Sequence, residues 1–223
     1  MQEPSSKSTP MHKRFPVTVA GILLFVAAAS RVLPHPPNFA PITAMAVFAG
    51  WIAPSYWAAL GLVTATMLAS DVGLALLHSD WGYLFHGMLP VIYGTFALII
   101  VISRLVGKQR RSFGAVAAVL VGSSLLFFVV TNFFVWLLGS MYPHTLEGLA
   151  TCYAMAVPFY HVNGLAPFEL VRNAFGGDIL YALCLFGAYR VAVGRRWTAS
   201  AIVTPRAKHK APGMQTSIER YSF

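Results

Sequence analysis

Apolar positions in this chain come in long unbroken blocks separated by short polar segments, rather than in the alternating or one-sided stripes of a soluble fold. A block near 20 residues is long enough to cross the hydrocarbon core of a bilayer as a helix. The blocks predict spans at about Phe15–Leu33, Ile42–Ala53, Tyr56–Leu77, Met88–Val106, Phe113–Gly139 and Asn173–Val193. The second is short, and Pro54-Ser55 turns the chain out of it. The fifth is long enough to require tilt or protrusion. Residues 149–165 are apolar but interrupted by Pro158 and Gly164, which predicts a helix packed on the outer side or a partial re-entry. The fold class expected is therefore all-α: a polytopic membrane helix bundle of about six transmembrane helices. Residues 1–14 are expected to be a disordered cytoplasmic N-terminus, 15–197 one membrane domain and 198–223 a basic cytoplasmic tail.

Composition agrees with the block pattern. Hydrophobic residues make up 57% of the 223 residues and charged residues 10%, against about 25% charged in a soluble domain. The formal charge of +9 raises the question of nucleic acid, but its distribution answers it. Of the 16 lysines and arginines, all but Arg31 and Arg172 fall in clusters at the same ends of the spans: Lys7 to Arg14, Arg104 to Arg111, and Arg190 onward. That is the pattern of cytoplasmic loops, and no base-reading motif accompanies it, so no nucleic-acid partner is expected. Both termini then lie inside. "MHKRFPVTVAGILLFVAAAS" also has the parts of a cleavable signal peptide. An uncleaved first span is favoured because it leaves an even number of spans.

The same assignment sends "PHPPN", "HSDWGYLFHG", "MYPHTLEG" and "FYHVNG" to the outer face. His35, His78, His86, His144 and His161, five of the 7 histidines, lie in those segments, and most of the carboxylates lie nearby. One face is basic and plain; the other gathers chemistry.

Asp71 sits inside an apolar span, where a charge costs several kcal/mol unless paired or wetted, so it is a functional candidate, with Arg31 or Arg172 as partner. Arg172, Asn173 and Asp178 open the last span, and Gly176-Gly177 there permits close approach of a helix or ligand. Asn132 and Trp136, four apart, share a helix face, with Tyr142 over the same outer end. The prolines of "PHPPNFAP" fix an irregular backbone, tolerated at the membrane only when buried in protein or lining a wet cavity. His35 and Asn38 therefore suit a pocket wall. The candidate ligand-binding set is His35, Asn38, Asp71, His86, Asn132, Trp136, Tyr142, Arg172, Asn173 and Asp178. For several of these, helix packing or interfacial anchoring is the competing reading.

Cys152 and Cys184 show no metal spacing or disulfide framework, and no HExxH or CxxC is present. A metal site could still assemble from separate loops. Without a Walker motif or nucleophile elbow, ATP hydrolysis by this chain is not expected, and no catalytic residue is assigned.

The segments "RVLPHPPNFAPITAMAVFAG", "LASDVGLALLH", "LLFFVVTNFFVW", "YPHTLEGLATCYAMAVPFY" and "RNAFGGDILYALCLFG" resemble a family of uncharacterised bacterial inner-membrane proteins. That family is similar to the S components of energy-coupling-factor (ECF) vitamin transporters. The resemblance covers about residues 15–190 and implies a six-span bundle with both termini inside. It also implies an outward-facing pocket for a micronutrient and, as a possible partner, an ECF-type ATPase and T-component module. Solitary cobalamin transporters are closest in style, which makes cobalamin a possible transported ligand, with no resident cofactor. His35, Asp71 and Arg172 would take the matching parts. The loop after span three departs from that pattern in holding His78 and His86 but no cysteine. Small residues at four-residue spacing, which mark the docking face in such proteins, are only partly matched by Ala20 and Ala28 around Leu24. The function expected is capture of a small-molecule substrate by a protein embedded in the lipid bilayer. The alternatives are an integral membrane metal- or haem-handling enzyme or factor using the outer histidines, and a non-transporting accessory subunit.

Overall fold

The computed structural model describes residues 11–36, 39–110, 112–156 and 169–193, with side-chain surroundings given from residue 17 and from residue 172 in the first and last stretches. The expected C-terminal tail, residues 1–10 of the expected N-terminal tail, Asn38, and the "FYHVNG" segment with His161 lie outside them; residues 11–14, expected in the disordered tail, are instead helical. Among the described residues the chain is all-helical: α1 (Met11–Ala29), α2 (Ile42–Ile52), α3 (Tyr56–His78), α4 (Leu89–Gln109), α5 (Phe113–Leu138), α6 (Leu146–Ala156) and α7 (Glu169–Val193), with 3-10 turns at Ser30–Val32 and Trp81–Tyr83. Four of them, α3, α4, α5 and most of α7, are long and apolar enough to cross a membrane, which makes this a membrane protein by length and composition. The apolar stretch Val17–Val32 and α2 fall below that length.

The helix ends follow from local chemistry. Ser55 opens α3 by accepting from the Ala58 N–H at 3.1 Å, and Ser112 opens α5 by accepting from Ala115 N–H at 3.2 Å. Each hydroxyl satisfies a donor that the first turn leaves without an intrahelical partner. Helix α3 stops at Ser79, whose backbone turns left-handed at φ 53°. Asp80 then starts the short 3-10 turn by accepting from Gly82 N–H at 2.8 Å. Proline stands in the first turn of α4, where its missing N–H costs nothing.

Helix α2 organises the bundle. It is apolar all round and buried from Thr43 to Trp51, as a helix without a polar face must be. Phe48 meets Phe186 edge-on at 5.1 Å and Tyr189 at 5.7 Å. Gly50 lets α4 approach so closely that a Cβ there would stand 2.8 Å from the Ile100 carbonyl oxygen. Ser103 donates to the Val47 carbonyl at 2.7 Å on the same seam.

At 1.5 Å per residue the 11 residues of α2 rise only about 16 Å, roughly half of a hydrocarbon core. Its two ends therefore need partners from other helices. Pro41 offers no side-chain cap at the N-terminus. Asp178 of α7 supplies one, accepting from Ala44 N–H at 3.2 Å, while its other oxygen accepts from the Ser124 hydroxyl at 2.5 Å. At the C-terminus Arg104 of α4 donates to the carbonyls of Ala53 and Pro54 at 2.8 and 2.6 Å. A carboxylate at the positive end and a guanidinium at the negative end complement the helix dipole.

The proline-rich stretch after α1 leads into α2 along α7. A Cβ on Gly177 would stand 3.2 Å from the Ala40 nitrogen, and Phe39 packs on Tyr181 at 6.0 Å. Only the last residues of the stretch, Phe39 and Ala40, are partly buried by this packing, while Leu33 to Pro36 are exposed. The Ala20–Leu24–Ala28 face of α1 is buried in the core as well, so it is occupied by the bundle's own packing and is not a free docking stripe.

Candidate functional site

The one intramembrane acid of α3 has a partner. Arg31, just past α1, donates through Nη1 to Asp71 Oδ1 at 2.6 Å and to the Ser70 hydroxyl at 2.5 Å. Of the two arginines the sequence offers, it is therefore Arg31 that pairs with Asp71. The Tyr93 hydroxyl of α4 donates to the other oxygen, Asp71 Oδ2, at 3.3 Å. Ser70 in turn donates to the Met67 carbonyl at 2.8 Å, and the Met67 sulfur lies 3.7 Å from the same guanidinium nitrogen. Both side chains of the pair are mostly buried, at 15% and 10% exposure, so each charge is held by the other and by hydroxyls.

This cluster forms one wall of a cavity of about 380 Å³. Arg31 lines it from the turn after α1, Met67 and Asp71 from α3; Asp80, Tyr83 and His86 from the α3–α4 connection; Tyr93 from α4; and Phe127 from α5. The aromatic surfaces are held by their neighbours. His78 stacks on Tyr83 with ring centroids 5.4 Å apart and 25° between planes. Phe96 lies flat on Phe127 at 5.8 Å and edge-on to Tyr93 at 5.8 Å. The cavity sits at the end of the bundle where α3 passes to α4, opposite the end where Arg104 closes α2 and Lys108 closes α4.

The sequence-derived candidates divide accordingly. Asp71 and His86 line the cavity. His35 is exposed and turns its Nδ1 to its own Leu33 carbonyl at 2.7 Å, so it does not form the wall expected of it. Asn132 donates back to the Phe128 carbonyl at 2.8 Å within α5. Trp136 donates to the Pro143 carbonyl at 2.8 Å and meets His144 edge-on, fastening the loop that leads to α6. Tyr142 is half-buried in that loop. None of the three lines the cavity: an i−4 hydrogen bond takes the Asn132 amide N–H and a loop staple takes the Trp136 indole N–H. Arg172 is exposed and Asn173 buried at the start of α7, away from the cavity lining. Asp178 is buried as the cap of α2.

Several cavity residues escaped sequence reading, Phe127 among them. Asp80 and Tyr83 lie in "HSDWGYLFHG", whose aromatics looked suited to the membrane interface, and Met67 and Tyr93 are ordinary in apolar blocks. Among the described residues no three of histidine, cysteine, aspartate and glutamate come close enough to hold a metal ion. Cys152 is buried and its thiol points to the Asn132 carbonyl at 3.5 Å, the place of a small core side chain.

A model described as a family of unknown function (DUF6580) matches residues 11–202 of the chain. No curated protein and no solved structure gives a significant match.

Proposed function

The chain belongs to the DUF6580 family of unknown function, and we propose that it is a membrane transport protein similar to an ECF S component, which captures a micronutrient in an outward-facing pocket. In this reading α1 and α2 complete six crossings of a bacterial inner membrane, with α2 crossing jointly with the extended stretch before it. Both termini are cytoplasmic, because the basic clusters at one end of the bundle are held inside. The cavity then opens outward.

The observation that carries the reading is the Arg31–Asp71–Tyr93 cluster in the wall of a 380 Å³ cavity. A purely structural pair has no need of an open cavity, and intramembrane ionisable groups beside one mark ligand pathways. Cavities for drug-sized ligands run from roughly 300 to 1,000 Å³, so this one suits a small vitamin or precursor. Release inward would follow rearrangement of the bundle around α2, with or without an ATPase module.

Native mass spectrometry of detergent-purified protein tests this. Ile92 of α4 also lines the cavity, and a small molecule retained by the wild type and lost when Ile92→Trp fills it is the expected result. The same molecule retained by both proteins would place binding elsewhere, and none retained or rebound by either would remove the reading.

A further inference from the structure

The charges and rings around the cavity define a ligand class. We infer that the cavity selects a small organic cation, an ammonium or cationic heterocycle, over neutral and anionic molecules of the same shape; this rests on the cavity being a ligand site at all.

The charge count comes first. Arg31 is committed at 2.6 Å to Asp71, which also accepts from Tyr93, so the pair presents no net charge to the cavity. The remaining ionised group is Asp80. Its Oδ1 accepts from Gly82 N–H at 2.8 Å, and its Oδ2 takes no hydrogen bond from the described residues. Among its aspartate, glutamate, lysine and arginine side chains, the lining therefore carries one carboxylate beyond balance. An anion entering would meet Asp80 with no uncommitted cation in the lining to offset it. A cation would meet its counter-charge.

The rings add a second, independent reason. Tyr83, Tyr93 and Phe127 line the same space, and His78 and Phe96 pack against them. Aromatic faces attract a cation through their quadrupole, and a walled group of them with an acid nearby is the usual receptor for ammonium ligands. The Met67 sulfur adds a soft, polarizable patch. The one guanidinium in the lining, which an anion would need, is taken by Asp71.

Three molecules of one shape separate the terms. Choline, 3,3-dimethylbutan-1-ol and 3,3-dimethylbutanoate, which are cationic, neutral and anionic, would be titrated calorimetrically into full-length protein in nanodiscs, and the charge of any co-purified molecule would be read by mass spectrometry. The expected result is preference for the cation, or a co-purified cation. Asp80→Asn is expected to weaken cation binding about fivefold, the range of an exposed ion pair, and Tyr83→Leu by a similar factor. The neutral isostere should be insensitive to Asp80→Asn. Equal binding of the three, preference for the anion, or a co-purified neutral or anionic molecule displaced by Ile92→Trp would overturn the cation inference and leave the pocket standing. Absence of any bound or co-purified molecule would instead remove the pocket.

Discussion

Asp71 shows what a single residue can reveal. One carboxylate in an apolar block is legible in the sequence because its cost there demands a partner, and Arg31 is one of only two cations outside the basic clusters. Tyr93 is not legible, since a tyrosine in an apolar block is common and only the fold brings it within 3.3 Å of the carboxylate. Removing one member of a mostly buried pair leaves the other uncompensated, so Arg31→Met should cost about 3 kcal/mol. Arg31→Met with Asp71→Leu should recover most of that loss, and unfolding in one detergent across the double-mutant cycle measures the coupling. Trp136 makes the opposite case. It stood in the candidate ligand-binding set, but its indole N–H serves the Pro143 carbonyl. Trp136→Phe should lose about 1 kcal/mol of stability and leave ligand retention unchanged; lost retention would return Trp136 to the site.

Among elements, α2 shows where sequence reading succeeds and where it stops. Its limits, its shortness and the turn at Pro54 are all written in the length of an apolar block. The role of Asp178 is not, because the cap and the helix it closes are 134 residues apart, and an acid in an opening helical turn reads equally well as a ligand contact. The same separation hides Arg104, which looked like one more cytoplasmic charge and in fact closes α2 through two carbonyls. Asp178→Ala and Arg104→Ala should each lower stability by about 1–2 kcal/mol through lost capping and dipole complementarity. Close packing gives a sharper contrast. Gly50→Ala drives a methyl group into the Ile100 carbonyl and the Ser103 Cβ, 2.9 Å away, and should cost about 1–3 kcal/mol. Gly61→Ala in α3 meets nothing within 4 Å and should be neutral or stabilising by up to about 1 kcal/mol. Melting temperatures of the pair in one detergent would check the seam directly.

At the scale of the whole molecule, the separation of charge that orients the sequence is also the separation of function in space. Helix α4 carries Tyr93 to the cavity at one end and Arg104 and Lys108 to the other. A two-ended bundle of this kind was legible from where the blocks stop and which charges follow them. The site was legible only in part, because a cavity is assembled from four helices and two connecting turns whose spacing in the chain says nothing of their distance. The central claim is that the cavity end faces outward. Thiol labelling tests it, with Cys152 and Cys184 replaced by alanine and single cysteines placed at Gly87, exposed beside the cavity, and at Gln109, exposed at the opposite end. With a membrane-impermeant maleimide on intact spheroplasts, the account predicts labelling at position 87 at once and at position 109 only after permeabilisation. Labelling of 109 but not 87 in intact spheroplasts would contradict it.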